Sequence, residues 1–241
     1  MSDLSFHLKI PSTNVLMWKM IRENNLPEGY TVITDFQSAG KGQPGNTWES
    51  KAGKNLLFST VLYPQLIKPE EQFLISQLVS VAIKKTLDKY TGDITVKWPN
   101  DIYWKDKKIA GILIENSLQG KSIKFSVIGI GLNVNQTEFV SDAPNPVSLR
   151  SIMGRSINRK RLLKELLGNI MDVYGNPDKE MIRSAYSAGL YRRTGFYTFN
   201  AENESFRACL KFVNPDGQLV LETESGVQRG YYFKEVSFVI G

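Results

Sequence analysis

Apolar residues recur at helical spacing in a few long segments of the chain and alternate or run together in many short ones. "KPEEQFLISQLVSVAIKKTLDKYTG", residues 68–92, predicts the clearest helix. Phe73, Leu74, Leu78, Val81, Ala82 and Leu87 fall at helical spacing, Pro69 opens the first turn ahead of Glu70 and Glu71, and Gly92 stops it. "PSTNVLMWKMIRENN" predicts a second helix near the N-terminus, with Ser12, Thr13 or Asn14 as its cap and Val15, Met17, Trp18 and Ile21 on its apolar side. "NRKRLLKELLGNIMDVYG" and "KEMIRSAYSAG" predict two more. Between them lie short strands: "YTVITDF", "NLLFSTVLY", "DITVKW", "DIYW", "KIAGILIEN" and "IKFSVIGIGLNV", with "KDKK" as a hairpin turn.

After about residue 190 the texture changes. Five short strands, "TGFYTFN", "ESFRACLKFV", "GQLVLET", "GVQRGYYF" and "EVSFVI", follow one another through turns such as "NPDG" and "ESG". Such spacing predicts a small β-barrel. The chain therefore reads as two units, residues 1–189 and 190–241, with the boundary near Ala188–Tyr191. The larger unit is α+β with a mixed, mostly antiparallel sheet backed by helices, because its hairpins are too short for crossover helices.

Composition narrows the chemistry. At 41% hydrophobic and 22% charged residues, the 241-residue chain is an ordinary folded protein. No apolar run is long enough to cross a bilayer, and "MSDLSFHLKI" lacks the pattern of a signal peptide. One cysteine, Cys209, and one histidine, His7, argue against internal disulfides, a zinc site and a histidine triad, and favour a cytoplasmic location. The net charge of +6 suits either an ordinary solvated surface or an anionic partner. No helix-turn-helix, zinc-finger or RNA-binding signature accompanies it, so nucleic acid is the least favoured partner.

"AGKGQPGNTW", residues 39–48, contains Gly40-x-Gly42-x-x-Gly45, the spacing of a dinucleotide fingerprint and of a kinase glycine loop. No helical period follows Gly45, so no helix N-terminus stands ready for a pyrophosphate, and no kinase catalytic-loop motif lies downstream. The glycines still permit close backbone approach, with N–H groups facing a ligand. The loop is not isolated. "VKWPNDIYWKDKKIAGILIE", residues 96–115, packs Lys97, Trp98, Asn100, Asp101, Lys107, Lys108 and Gly111 onto short strands and a tight turn. "IGIGLNVNQ" then sets Gly129 and Gly131 within a strand and Asn133 and Asn135 at its end, a pattern that marks close approach by a ligand or by another backbone.

"STN", "QSAGKGQPGNTW", "KWPND", "KKIAGILIE" and "GIGLNVN", in that order, resemble the biotin protein ligases over nearly the whole chain. The resemblance implies a mixed sheet backed by helices and an SH3-like C-terminal barrel. "STN" starts eleven residues after Met1, so the chain resembles the short type without a DNA-binding domain. It also implies a two-step reaction: biotin and ATP give biotinyl-5′-AMP and pyrophosphate, with Mg2+ accompanying ATP. A lysine of a biotin carboxyl carrier protein or domain then takes the biotinyl group and releases AMP. DNA and membrane partners are not expected, no protein-held metal is expected, and a homodimer is left open.

The resemblance assigns roles position by position. Ser12, Thr13, Asn14 and Gln37 match residues that hold the ureido ring of biotin. Gly40, Lys41, Gly42 and Gln43 belong to the loop over biotin and the adenylate, where the family usually reads Gly-Arg-Gly-Arg. Trp48 either packs near the adenine or anchors the loop in the core. Lys108 matches the lysine that meets the biotin carboxylate and then the acyl phosphate, and Lys97 is expected at the phosphates. Asn100 shapes the turn near the nucleotide. Asp101 either assists the incoming amine or caps the turn. Gly111 and Gly131 give the ligand room, and Asn133 matches an asparagine near the nucleotide. A ligase or transferase for lipoate or octanoate, on a related fold, is the nearest alternative. "KWPND" and the β-rich end favour biotin.

Overall fold

Alternation of side chains along extended backbone is what builds this molecule. The computed structural model describes residues 3–140, 145–175, 177–202 and 204–240. Strands β1 (Leu4–Ile10), β2 (Thr31–Gln37), β3 (Leu56–Leu62), β4 (Ile94–Lys97), β5 (Asp101–Trp104), β6 (Lys107–Gln119) and β7 (Ser122–Leu132) form one sheet in the order β1-β2-β3-β7-β6-β5-β4. β1 and β2 run parallel, and every other neighbouring pair is antiparallel. β3 is buried along its whole length because both faces of the sheet are covered there. Helix α1 (Thr13–Glu23) packs on one face, where Met17, Val32, Val61 and Val127 form a small core. On the other face lie α2 (Phe73–Leu87), α4 (Arg159–Gly175) and α5 (Lys179–Ala188), over the main core around Phe58, Leu78, Ile83, Ile128 and Leu166. A short helix, α3 (Leu149–Met153), starts at Ser148, whose hydroxyl accepts the Ser151 N–H.

Four local outcomes differ from the sequence pattern. β1 has no counterpart among the predicted elements: Leu4, Phe6 and Leu8 do alternate, but they point outward at a sheet edge and stay 51%, 53% and 75% exposed. α3 is likewise unforeseen, being too short to show a helical period. The predicted helix 68–92 is split. Pro69–Glu71 is a single 3-10 turn, and α2 ends at Leu87, where the Asp88 and Tyr90 N–H groups turn back to Lys84 and Leu87. The hairpin turn shrinks to Lys105–Asp106, so Lys107 and Lys108 belong to β6. Lys105 takes the left-handed conformation there.

The five strands expected beyond residue 190 are β8 (Tyr197–Ala201), β9 (Glu204–Val213), β10 (Leu219–Thr223), β11 (Gln228–Tyr231) and β12 (Val236–Phe238). They form a separate antiparallel sheet in the order β11-β10-β9-β8-β12. We propose residues 189–190 as the division between the two units, since α5 ends at Ala188 and β8 begins at Tyr197. The apolar core nevertheless runs through both: Phe199, Leu210, Leu219 and Leu221 join the main cluster. The Trp98 indole N–H donates to the Gly217 carbonyl at 2.9 Å. Gly217 has φ +95°, and a Cβ there would lie 2.7 Å from the Phe73 ring, so only glycine lets the β9–β10 turn come this close.

Candidate active site

The N-terminus of α1, the glycine loop, the β4–β5 turn and the middle of β6 and β7 converge on one cavity of about 120 Å3. One cross-strand row explains the convergence. Lys97, Asp101, Gly111 and Gly131 are successive partners across β4, β5, β6 and β7, so they share a face of the sheet. Next to Gly131 in the row pattern lies Gly129, opposite Leu113 and Ser59. On this face the sheet carries no side chain at three glycine positions, which leaves a trough.

Polar groups fill one end of the trough. Ser12 occupies the N-cap of α1 and lines the cavity, and its hydroxyl makes no capping bond. The Thr13 N–H and hydroxyl both donate to Gln37 Oε1, at 2.7 and 3.1 Å. Gln37 lines the cavity beside them. Asn14 is pinned from both sides. Its amide donates to Glu115 Oε2 at 2.7 Å, and its carbonyl oxygen accepts from the Ser59 hydroxyl at 2.6 Å. A Cβ on Gly129 would meet Asn14 Oδ1 at 2.2 Å, so the asparagine sits directly on the sheet backbone.

The other end holds charge. Lys108 Nζ and Asp101 Oδ1 pair at 2.7 Å, both partly shielded. The irregular register at Ile102–Tyr103, where β5 meets β6, sets Lys108 opposite Tyr103. The segment after residue 144 holds the start of β6 in place: the Lys108 N–H donates to Asn145 and its carbonyl accepts from Val147. Asn100 fastens the turn, donating from Nδ2 to the Ile112 carbonyl at 2.8 Å while its own carbonyl accepts the Ile112 N–H.

The glycine loop lies over the trough as a small hairpin. Lys41 bridges Thr47, the Gly42 N–H reaches the Asn46 carbonyl, and the Trp48 N–H reaches the Gly40 carbonyl. The Trp48 indole fills the space above Gly111 and Gly131. A Cβ at those positions would lie 2.8 and 2.4 Å from ring carbons. Lys108 Nζ stands 5.7 Å from the ring centroid. The indole N–H, buried against Gly131, has no hydrogen-bond partner among the described residues.

The cavity gathers Ser12, Thr13, Asn14, Gln37, Lys41, Gly42, Gln43, Trp48, Asn100, Asp101, Lys108, Gly111 and Gly131 from the residues singled out in the sequence. Three others stand off its wall. Gly40 closes the base of the loop, where a Cβ would strike the Trp48 carbonyl at 2.6 Å. Asn133 is buried behind the cavity, in an amide network with Asn55 and Gln136. The Lys97 ammonium lies between the rings of Tyr103 and Phe238, at 5.4 and 5.0 Å. Burial lowers its pKa, with nearby Lys108 and Arg192 adding to the effect and Asp101 opposing it. The folded protein thus binds that proton less readily than the unfolded chain, so this group adds stability as pH rises toward the ordinary lysine value.

Gly129, marked in the sequence as a place of close approach, also lines the cavity. Sequence reading missed Asn46, Thr47 and Phe233 as cavity residues, and Ser59 and Glu115 as the groups that pin Asn14. Phe233 carried no signal, because it reaches the cavity from the far end of the chain.

A trough with amide and hydroxyl groups at one end, a lysine–aspartate pair at the other and a glycine loop above suits a small ligand with a polar head and an anionic tail. A lysine-bearing loop beside that tail suits group transfer at a carboxylate. Residues 7–133 match the model of the biotin/lipoate A/B protein ligase family. The chain belongs to that family. It is 29% identical to the bifunctional ligase/repressor BirA of Bacillus subtilis over 240 residues, which is 95% of this chain and 72% of that protein. Among solved structures, the biotin protein ligase from Aquifex aeolicus in complex with biotin and ATP shares the fold, with a TM-score of 0.80, 23% identity and full coverage of both chains. The biotin protein ligase from Leishmania major in complex with biotinyl-5-AMP has a TM-score of 0.67 and 20% identity over 95% of this chain and 98% of that one.

Proposed function

We infer that the protein is an ATP-dependent biotin–protein ligase. It joins biotin to ATP as biotinyl-5′-AMP and passes the biotinyl group to a lysine of a biotin carboxyl carrier domain. The observation that carries this reading is the division of the cavity. Ser12, Thr13, Asn14 and Gln37 offer hydrogen bonds at one end and Lys108 offers an ammonium at the other, as a ureido ring and a valerate carboxylate require. A lipoyl or octanoyl chain has no use for the polar end, whose groups would be left unpaired against it.

In the first step the carboxylate oxygen attacks the α-phosphorus. An acyl–phosphate bond forms, the bond to the β-phosphate oxygen breaks, and pyrophosphate leaves. The carboxylate is already ionised at neutral pH, so no general base is required. The protein's task is to bring two anions together. Lys108 and the loop N–H groups serve it, with Lys41 a second cation above. Mg2+ would arrive on the ATP phosphates and neutralise their charge there.

The Lys108–Asp101 pair links the two steps. When the biotin carboxylate takes Lys108, Asp101 is released from its partner. It then stands beside the reacting carbon, able to accept a proton from the incoming amine as the amine attacks, the acyl–phosphate bond breaks and AMP departs. Asp101→Asn should therefore slow transfer about tenfold or more while changing adenylation by less. Single-turnover assays of each half-reaction measure this, and equal losses in both would make Asp101 a structural or ATP-positioning group.

At about 120 Å3 the cavity is smaller than the ~300–1,000 Å3 typical of ligand pockets. Trp48 and the glycine loop must therefore move for ATP to enter. The test of the whole reading is a substrate comparison: pyrophosphate release with ATP and biotin, lipoate or octanoate, then transfer to a carrier domain. Of the three acids, only biotin should act at a concentration of about 1 μM. Preference for lipoate or octanoate would overturn it.

A further inference from the structure

The tip of the glycine loop touches the C-terminal sheet. Lys234, in the turn between β11 and β12, donates from Nζ to the Pro44 carbonyl at 2.9 Å, across 190 residues of chain. Its neighbour Phe233 lines the same cavity that the loop covers. The turn is itself well held. Glu235 accepts the Tyr232 N–H at 2.6 Å, the Glu235 N–H returns to the Tyr232 carbonyl, and the Tyr232 hydroxyl donates to Asp216 at 2.8 Å. Phe233 also bridges Val236 at the start of β12. Lys234 has φ +74°, a conformation that glycine adopts without steric cost and lysine does not. A Cβ-bearing residue at this position works against the turn's own preference, while its side chain reaches the loop.

We propose that the Tyr232–Glu235 turn is a latch on the glycine loop: Lys234 ties down Pro44 and Phe233 walls the same side of the cavity, so the C-terminal unit sets how long biotinyl-5′-AMP is retained. Lys234 is a positioning residue, since it acts through the loop. The internal hydrogen bonds of the loop hold its hairpin shape but do not dock it. The Lys234 bond joins its tip to the rest of the fold, and a bond from an ammonium to a carbonyl is stronger than a neutral one. An unlatched loop swings from the cavity and frays its hairpin more often, which exposes the Gly42 and Asn46 N–H groups that the hairpin otherwise holds. This inference rests on the ligase reading for the identity of the retained molecule, but not for the docking of the loop.

The test uses the full chain with Lys234→Gly, which removes the amine and relieves the left-handed backbone, so that the fold is not endangered. Lys234→Arg restores the charge. Amide hydrogen exchange at Gly42 and Asn46 is followed in the free protein, and the release rate of preformed biotinyl-5′-AMP is followed by filter binding. Both should rise about three- to tenfold in Lys234→Gly, the size expected for one exposed charge-assisted bond, and fall back in Lys234→Arg. Unchanged exchange in Lys234→Gly overturns the latch. Faster exchange with unchanged release overturns its role in retention. A wild-type protein that forms no biotinyl-5′-AMP from biotin and ATP would defeat the ligase reading instead, while exchange at Gly42 and Asn46 would still decide whether the loop is latched.

Discussion

Lys108→Ala should lose nearly all adenylate formation while the fold survives. The backbone of residue 108 keeps its bonds to Asn145 and Val147 whatever the side chain, so β6 stays seated. What disappears is the ammonium 2.7 Å from Asp101 at the charged end of the cavity. Losing a charge-assisted contact to charge developing in the transition state costs about 2–4 kcal/mol, or roughly thirty- to thousandfold in rate. Truncation adds a second penalty. Asp101 is left as a part-buried carboxylate without its partner, and it then repels the biotin carboxylate. Lys108→Arg keeps the charge on a larger, planar group that must fit beneath Trp48, so it should restore only part of the rate. Pyrophosphate release under saturating biotin and ATP is the measurement. A Lys108→Ala protein within threefold of wild type would remove this lysine from the chemistry.

The charged end of the site was legible in the sequence because it is local. Asn100, Asp101, Lys108 and Gly111 lie within twelve residues of one another, and a pair of tightly connected strands brings them to one face whatever the rest of the chain does. The glycine loop was legible for a related reason. Its breakers exclude regular structure, and the strands on either side, β2 and β3, fix where it emerges. Lys97 shows where such reasoning stops. It belongs to the same motif and the same cross-strand row as Asp101, yet its ammonium lies between Tyr103 and Phe238. The second ring comes from β12, and no reading of residues 96–115 alone contains it. Phe233 and Lys234 were invisible for the same reason.

The edge of the sheet was lost to a different physical cause. Hydrophobic periodicity reports burial, and Leu4, Phe6 and Leu8 in β1 alternate without being buried. Length mattered at α3, five residues that span little more than one turn and owe their shape to the Ser148 cap. The end of α2 turned on backbone geometry. Gly92 looked like a stop, but Asp88 already leaves the helix through a tighter turn.

The polar end of the cavity yields the second large effect. Gly129→Ala should weaken both the fold and biotin binding, because the methyl group has nowhere to go. It would lie 2.2 Å from Asn14 Oδ1 and 2.9 Å from Cγ. Asn14 cannot step aside cheaply. It is 3% exposed, on the first turn of α1, and held by Glu115 at 2.7 Å and by Ser59 at 2.6 Å. Overpacking of this kind costs about 1–3 kcal/mol, and breaking the Asn14 bonds strands buried polar groups at a similar cost. For a chain of this length, a loss of about 2–3 kcal/mol corresponds to a fall in Tm of roughly 5–10 °C. Biotin affinity should fall further, about a hundredfold, since the displaced asparagine no longer meets the ureido ring and the floor of the trough is raised. The double variant Asn14→Ala with Gly129→Ala separates the two effects. Removing the struck side chain should return only the part of the Tm lost to overpacking, since Ser59 and Glu115 stay unpaired, whereas biotin affinity should stay low because both the space and the hydrogen bonds are gone. Thermal unfolding and calorimetric titration with biotin provide the two readouts. If Gly129→Ala melts within 2 °C of wild type, taking about 2–4 °C per kcal/mol as the scale, Asn14 has an alternative seat and the trough is more adaptable than its contacts imply.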